Sequence, residues 1–446
     1  MDDRDKDVIA LTHVCRTWRE VFTSRPSLWT RLDLDIMNEV EVRIYLERSK
    51  SSPVGLLLEE GDLTSPSDLF SQIVPQVIGR LGYLVIRVTP GNIRSIDFHL
   101  SRPAPLLEDL SIRGALSHQH QCPVLASTLF DGNLSSLRKL YLEFIRTELP
   151  WRNMVNLITF TLRRTPRDEI SASQLLDFFE SAPHLREVEL HSTTPTPGTQ
   201  NRRLVSLTRL KKMKISYSGP PPVLLDHLLI PVGAKLILEG ELRDSLIGDL
   251  LPRSLDNLRN LSNYTTIELC TSTYYPLMAF SGPNGQVIVT PRTPEVNTTG
   301  LVLESLTQFD TSKTERLRIE YRDTLFRDLV DRILLPMKDL RFLVLCECNN
   351  SNTFIRALNP STSSSTAIVC PQLEELFLAP HVNGEALDTM DVIGMAEARA
   401  SRGKKLKTLG IAVGQYEFDP DDVLELGKHV GYVEHGPHVG AAREVC

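Results

Sequence analysis

One phrase recurs along this 446-residue chain and restricts what it can fold into. It reads apolar, two residues that are usually polar, apolar, one variable residue, apolar. Leu134-Ser-Ser-Leu-Arg-Lys-Leu-Tyr-Leu142 and Cys370-Pro-Gln-Leu-Glu-Glu-Leu-Phe-Leu378 are clear copies. Others end Pro105–Ile112, Val155–Leu162, Ala182–Leu190, Leu207–Ile215, Met337–Leu345 and Gly403–Ile411. Their last apolar residues fall at 112, 142, 162, 190 and 215, then at 345, 378 and 411, so spacings within each group run from 20 to 33 residues. Alternation at the end of each phrase puts every second side chain of a short strand on one face. One such unit cannot bury that face alone. Stacked copies make a continuous leucine core under a parallel sheet. Helix-like stretches between copies, such as Ser173–Ser181 and Val223–Leu229, would cover the other side.

The period lies near that of leucine-rich repeats, in an irregular form. The expected fold class is therefore α/β, an irregular solenoid with parallel strands. Ahead of the array, Asn38 and Glu41 have capping-box spacing and predict a helix. Val54–Leu58 and Leu84–Val88 read as strands, with a helix from about Ser67 to Ile78 between them. Residues 271–309 do not fit the phrase. There Ser281-Gly-Pro-Asn-Gly285 predicts a hairpin between Leu277–Phe280 and Gln286–Val289. Lys235–Leu238 and Thr265–Leu269 are imperfect copies, and Leu317–Ile319 resumes the array. Thr193–Gly198 and Asn359–Thr366 read as loops. The segment 431–446 lacks periodicity and reads as a loosely held tail, with a final strand at Val430–Val433 as an alternative.

Composition removes several function classes. Hydrophobic residues make up 41% and charged residues 24%, enough for a sizeable core. The net charge of −7 argues against nucleic-acid binding, which needs clustered excess Lys and Arg. No apolar run approaches the roughly 18 residues of a membrane span, so no membrane partner is expected. Met1 is followed by a run of charged residues, so no signal sequence is expected. The seven cysteines are scattered, which reads as reduced thiols in cytoplasm or nucleus.

The N-terminal stretch carries two of the three tryptophans. Val8, Leu11, Cys15, Trp18 and Phe22 recur at helical steps and predict one apolar stripe on a helix ending near Ser24. Ser24 and Pro26 then open a second short helix. Leu28 and Trp29 would point from it toward the first, and Leu32–Ile36 would follow as a strand. Taken alone, this could be the capping core of a larger domain. Val14-Cys15-Arg16-x-Trp18, then Ser27-Leu28-Trp29 and Leu32, also resembles the second half of an F-box. The resemblance covers about 30 residues and implies a partial F-box at 1–34 ahead of a solenoid at 35–430. A complete box opens with a Leu-Pro-bearing helix, and Met1-Asp-Asp-Arg-Asp-Lys stands where that helix should be ending. The expectation is a truncated form or a degenerate box. In that family the box docks on a Skp-type adaptor, which bridges to a cullin and its RING partner, while the C-terminal region holds a protein substrate. The resemblance thus gives Val8, Leu11, Val14, Cys15, Trp18, Leu28 and Trp29 as the motif, a ubiquitin-ligase substrate receptor as the function, and no cofactor. The alternative is a non-catalytic binding solenoid that no longer docks on the adaptor.

There is no Gly-x-Ser-x-Gly, no His-Glu-x-x-His and no phosphate-cradling Gly-x-x-x-x-Gly-Lys-Ser/Thr. Cys346 and Cys348, two apart on a strand, would share a face, as a metal pair requires; no second pair or nearby His lies at ligand spacing, so no metal is expected. His118-Gln-His120 reads as a polar loop. The chain is read as a non-enzyme. The basic pairs Arg163-Arg164, Arg202-Arg203, Lys211-Lys212 and Lys404-Lys405 sit near strand phrases, either as a solvated edge or as one rim facing an acidic partner.

Overall fold

The computed structural model describes residues 9–59, 68–115, 122–125, 129–147, 154–164, 170–192, 203–217, 223–241, 250–252, 255–261, 264–270, 277–283, 285–292, 303–321, 326–349, 351–361, 368–381, 384–412 and 419–436. The chain divides near residues 218–230 into two compact units. Each is α/β, with a mostly parallel sheet and helices in the connections.

In the first unit eight strands pair in chain order, all parallel: β1 (Arg31–Asp33), β2 (Val54–Leu58), β3 (Leu81–Val88), β4 (Asp109–Gly114), β5 (Lys139–Glu143), β6 (Thr159–Arg163), β7 (Glu187–His191) and β8 (Lys212–Tyr217). The recurring phrase explains the register. Leu84, Leu110, Leu140, Phe160, Val188 and Met213 align in one row, and Ile86, Ile112, Leu142, Leu162, Leu190 and Ile215 in a second. Both rows are fully or almost fully buried. Burial of each such side chain contributes about 1.5–3 kcal/mol. The first half of the phrase is a turn. The N–H groups of Leu107, Leu137, Leu157, Leu185 and Leu210 bond the carbonyls three residues earlier, those of Ala104, Leu134, Met154, Ala182 and Leu207. Each turn then hangs on the one before. The Glu108 carbonyl accepts from Arg138 and Lys139, that of Arg138 from Ile158 and Thr159, and that of Ile158 from Arg186 and Glu187. The backbone polar groups of the turn edge are thereby satisfied strand after strand.

Helices cover the apolar rows. α1 (Arg16–Thr23) and a 3-10 turn (Pro26–Trp29) precede β1; α2 (Glu39–Ser49), α3 (Asp68–Val77) and α4 (Ile93–His99) follow. The capping box anticipated from Asn38 and Glu41 is formed, with reciprocal bonds of 3.0 and 2.9 Å. α5 (Ala172–Ser181) contains the anticipated 173–181 stretch. Phe178 packs on Phe160 of β6 at 4.5 Å between ring centroids. The other helix-like stretch differs: Val223–His227 is a 3-10 turn, and Leu228–Leu229 pairs as a short strand with Val205–Ser206.

Two N-terminal expectations are corrected. Leu11 and Phe22 do not belong to one continuous helix. Residues 9–11 form a helical turn, and α1 starts only at Arg16. The Thr12 hydroxyl bonds the Ile9 carbonyl at 2.7 Å, and the Arg19 guanidinium takes the Thr12 carbonyl at 2.9 Å, so that turn is closed locally. Cys15 is extended (φ −156°, ψ 173°) and caps α1 through its sulfur. Val8 lies outside the described residues. The strand expected at Leu32–Ile36 also stops short, at Asp33. The Asp33 carboxylate accepts the Asp35 N–H at 3.2 Å and turns the chain.

Among its described residues the second unit has nine strands: β9 (Lys235–Glu241), β10 (Thr266–Cys270), β11 (Leu277–Ser281), β12 (Gln286–Arg292), β13 (Arg316–Glu320), β14 (Phe342–Cys348), β15 (Glu375–Pro380), β16 (Thr408–Ala412) and β17 (Tyr432–Gly436). Their lateral order is β9, β12, β11, β10, β13, then β14 to β17. The anticipated hairpin is present: Met278 faces Val289, Ser281 faces Gln286, and the Gly282 N–H bonds the Gly285 carbonyl at 2.9 Å. It lies within the sheet, between β9 and β10. β11 runs antiparallel to both neighbours, yet the core rows continue through it. Leu236, Val287, Phe280, Ile267 and Leu317 align, as do Leu238, Val289, Met278, Leu269 and Ile319. β17 begins the segment expected to be a loose tail and pairs in parallel with β16. Residues 437–446 lie outside the described set, as do His118, His120 and the 193–198 loop. α6 (Arg327–Leu334), α7 (Ser351–Leu358), α8 (Thr389–Ser401) and α9 (Pro420–His429) pack side by side.

Gly285 is fixed by close approach. A Cβ there would lie 2.0 Å from the Val232 carbonyl oxygen and 3.0 Å from Asn260 Cβ. Asn260 is itself held, its amide donating to the Ala234 carbonyl at 3.1 Å. Backbone must therefore move. Gly285→Ala is expected to lower stability by about 1–3 kcal/mol in a urea titration; an unchanged midpoint would contradict this seat for the hairpin.

Candidate functional site

The N-terminal cap divides its two indoles sharply. Trp29 is fully buried. Its Nε1–H donates to the Phe22 carbonyl at 2.8 Å, which ties the 3-10 turn to the last turn of α1. The Tyr45 ring of α2 meets it edge-on at 4.9 Å, and the Arg48 guanidinium lies 4.3 Å from its ring centroid. Trp18 is the opposite case. It is 45% exposed and stacks on Phe22, one turn on, at 5.7 Å and 24°. No residue of α1 is buried. Val14 is 63% exposed, Val21 45% and Leu28 36%. Cys15 is exposed and Leu11 half-buried. Of the described motif residues, Trp29 alone is core; Val14, Cys15, Trp18 and Leu28 face outward. Leu28 does not join Trp29 in pointing inward. Val21 belongs with the exposed set and was missed, because a stripe counted from Val8 excludes it.

A second polar constellation occupies the sheet face opposite the buried rows. Tyr141 on β5 lies between Arg113 of β4 and Arg163 of β6, with guanidiniums 5.2 and 5.6 Å from its ring. Each arginine is held by a carboxylate: Arg113 by Glu59 at 2.6 Å and Arg163 by Glu189 at 2.8 Å. The Tyr141 hydroxyl donates to Glu143 at 2.7 Å. Burial and that bond push the Tyr141 pKa above its ordinary value. Burial works against the Arg163 charge, but Glu189 and its neighbours outweigh it and the pKa rises. Tyr141 and Glu189 fill the variable position of the phrase, and Arg113, Glu143 and Arg163 follow its last apolar residue; neither place carries an apolar signal. Every charge in the group is paired, which suits a rigid sheet face better than proton transfer.

Cys346 and Cys348 do not share a face. A bulge at Glu347 (φ 54°) shifts the register, leaving Cys346 half-buried on the outer face and Cys348 in the core. Burial pushes the Cys348 thiol up to about 12. Among the described residues no group of three or more His, Cys, Asp or Glu is placed to hold a metal ion. No helix among them is long and apolar enough to cross a membrane. Among the described residues of the first unit the basic pairs do not form one rim. Arg163 lies on the sheet face, Arg203 is held by Asp177 and Glu180 of α5, and Lys211 and Lys212 lie at the turn edge. Set against known proteins, the chain matches no family model and no curated protein.

Proposed function

We propose that this chain is the substrate-recognition subunit of a Skp–cullin–F-box ubiquitin ligase. The N-terminal cap is read as an F-box remnant, and the two sheets as an irregular leucine-rich-repeat-like solenoid that holds a protein substrate. The exposed apolar side of α1 carries the reading. Trp18, Val21 and Val14 stay in contact with solvent while Trp29 anchors the cap beneath them. Grouped large apolar side chains on a short, anchored element favour a protein partner. In this reading the partner is a Skp-type adaptor, which brings the cullin. The chain performs no chemistry of its own and supplies proximity and orientation for ubiquitin transfer. The continuous leucine rows support the solenoid part, since they are what stacked copies of one phrase produce.

The test is a pull-down and a titration with purified Skp-type adaptor, using the parent chain and Trp18→Ala. An interface tryptophan contributes about 2 kcal/mol or more, so affinity is expected to fall about thirtyfold or more. Absence of adaptor binding by the parent chain would sink the ligase reading and leave a non-catalytic binding solenoid.

A further inference from the structure

The turns entering β5, β6, β7 and β8 share one pattern: a surface residue, the buried leucine of the turn, then two more surface residues. Those surface positions hold six cations, Arg138, Lys139, Arg186, Arg209, Lys211 and Lys212, against one carboxylate, that of Glu187. All six cations are exposed. The same positions of the turns entering β13 to β16 are nearly balanced, with five cations and four carboxylates. The net charge of −7, which by itself argues against a polyanionic partner, averages over the whole chain and hides this strip of one sign. Most of the strip is uncommitted. Arg138, Arg186, Lys211 and Lys212 make no side-chain hydrogen bond or ion pair among the described residues, and Lys139 reaches Asp109 only at 3.7 Å. Elsewhere Arg113, Arg163, Arg203 and Arg356 each take a carboxylate at 2.6–2.8 Å. A groove of about 530 Å³ crosses these turns, lined by Arg138, Arg186, Arg209, His184 and Asn156, among others. Through Ser136, Arg138 and Ile158 it adjoins a hollow of about 680 Å³ whose walls include Tyr83, Pro53, Pro105 and Leu106.

We propose that this strip and hollow bind a single-stranded nucleic acid, with phosphates along the cations and bases against the apolar walls. The proposal goes beyond the receptor reading and does not depend on it. From β5 to β8 the strip spans three strand spacings, about 14 Å at ~4.8 Å each. A stacked strand carries one phosphate per ~3.4 Å, so about four phosphates fit, which is the lower end of the footprint of single-strand binding folds. Lysine and arginine contacts to phosphate carry no sequence information, so binding is largely independent of sequence. A duplex fits less well, because its bases stay stacked on one another and leave the hollow empty. An acidic protein segment fits less well too: it brings charge to the strip but no ring face to Tyr83 and its apolar neighbours.

The experiment is fluorescence anisotropy of the whole chain with a labelled single strand of about eight nucleotides, twice the footprint above. Companion probes are a duplex of the same length and a polyglutamate peptide. The single strand is expected to bind tightest. Its log affinity should fall against log salt with a slope of about −3, from −0.7 for each of about four phosphates. Arg138→Gln with Arg186→Gln should weaken binding on the order of a hundredfold and reduce the slope to about −1.4. Both side chains are exposed, so the variant should keep the parent circular dichroism spectrum. Arg341→Gln, at the matching position of the turn entering β14, serves as control and should bind as the parent does. No binding by the parent chain, an unchanged affinity or slope in the double variant, or equal or tighter binding of the duplex or of polyglutamate would each overturn the proposal. No adaptor is present in the measurement, so its outcome is separate from that of the docking test.

Discussion

Arg399→Ala should cost about 3–5 kcal/mol of folding stability, seen as loss of the second unit's transition in a urea titration. Arg399 stands on α8 with no solvent exposure. Its Nη1 donates to the Val369 carbonyl at 3.0 Å and the Leu358 carbonyl at 3.5 Å; Nη2 donates to the Cys370 carbonyl at 2.9 Å. Leu358 ends α7, where a positive charge is favoured by the helix dipole. Cys370 opens one copy of the phrase with φ at 48°, so the same guanidinium holds the chain's return into β15. No carboxylate balances it among the described residues. Burial lowers the Arg399 pKa, and the Cys370 thiol, pushed up to about 12 by burial, stays neutral beside it. Alanine would leave a large cavity and at least two buried carbonyls without donors, each worth about 1–3 kcal/mol. Methionine separates the two contributions. It keeps the apolar stem, while both variants remove the charge and its bonds to the carbonyls, so Arg399→Met should lose about 1–2 kcal/mol less than Arg399→Ala. Equal losses in both variants would show that the carbonyl bonds, and not the packing of the stem, dominate.

Arg399 also shows where legibility in the sequence ends. The strands could be read because their signal is local: Leu140 and Leu142, or Leu376 and Leu378, alternate whatever lies across from them. The capping box at Asn38 and Glu41 is local in the same way. The order of strands in the second unit is not. Ser281 to Gly285 announces a hairpin, but its insertion between β9 and β10 depends on Val287 meeting Leu236, some fifty residues earlier. Within 271–309 β11 runs in reverse, and β12, although parallel to β9, is preceded by the hairpin turn and not by a leucine of the phrase. Thr12, Cys15 and Asp33 broke the expected N-terminal elements through side-chain bonds to nearby backbone, and those compete with helix and strand at little cost. Arg138 and Arg186 were visible as residues, but their lack of side-chain partners among the described residues was not. Pairing is a property of neighbours in space: Arg163 and Arg186 occupy comparable phrases, and only one meets a carboxylate.

The separation of the two indoles leads to the second large effect. Trp29→Ala should destabilise the first unit by about 3–5 kcal/mol, because a fully buried indole leaves a cavity against Tyr45 and Arg48, and the Phe22 carbonyl loses its indole donor and keeps only backbone N–H groups such as that of Arg25. Trp29→Phe keeps an aromatic ring beside Tyr45 and removes the N–H, so its loss should be about 1–2 kcal/mol. Trp18→Ala removes an exposed side chain and should change stability by less than about 0.5 kcal/mol. Adaptor affinity should rank these variants differently. Trp18→Ala should bind weakly while fully folded. Trp29→Phe should weaken binding to a smaller degree, because α1 buries none of its own residues and the bond to Phe22 helps to set its position. Parallel urea and adaptor titrations would decide it. If affinity simply followed stability across the three variants, the exposed side of α1 would not be the docking surface, and Trp18 would be one more solvent-facing aromatic on a cap whose business is to close the sheet.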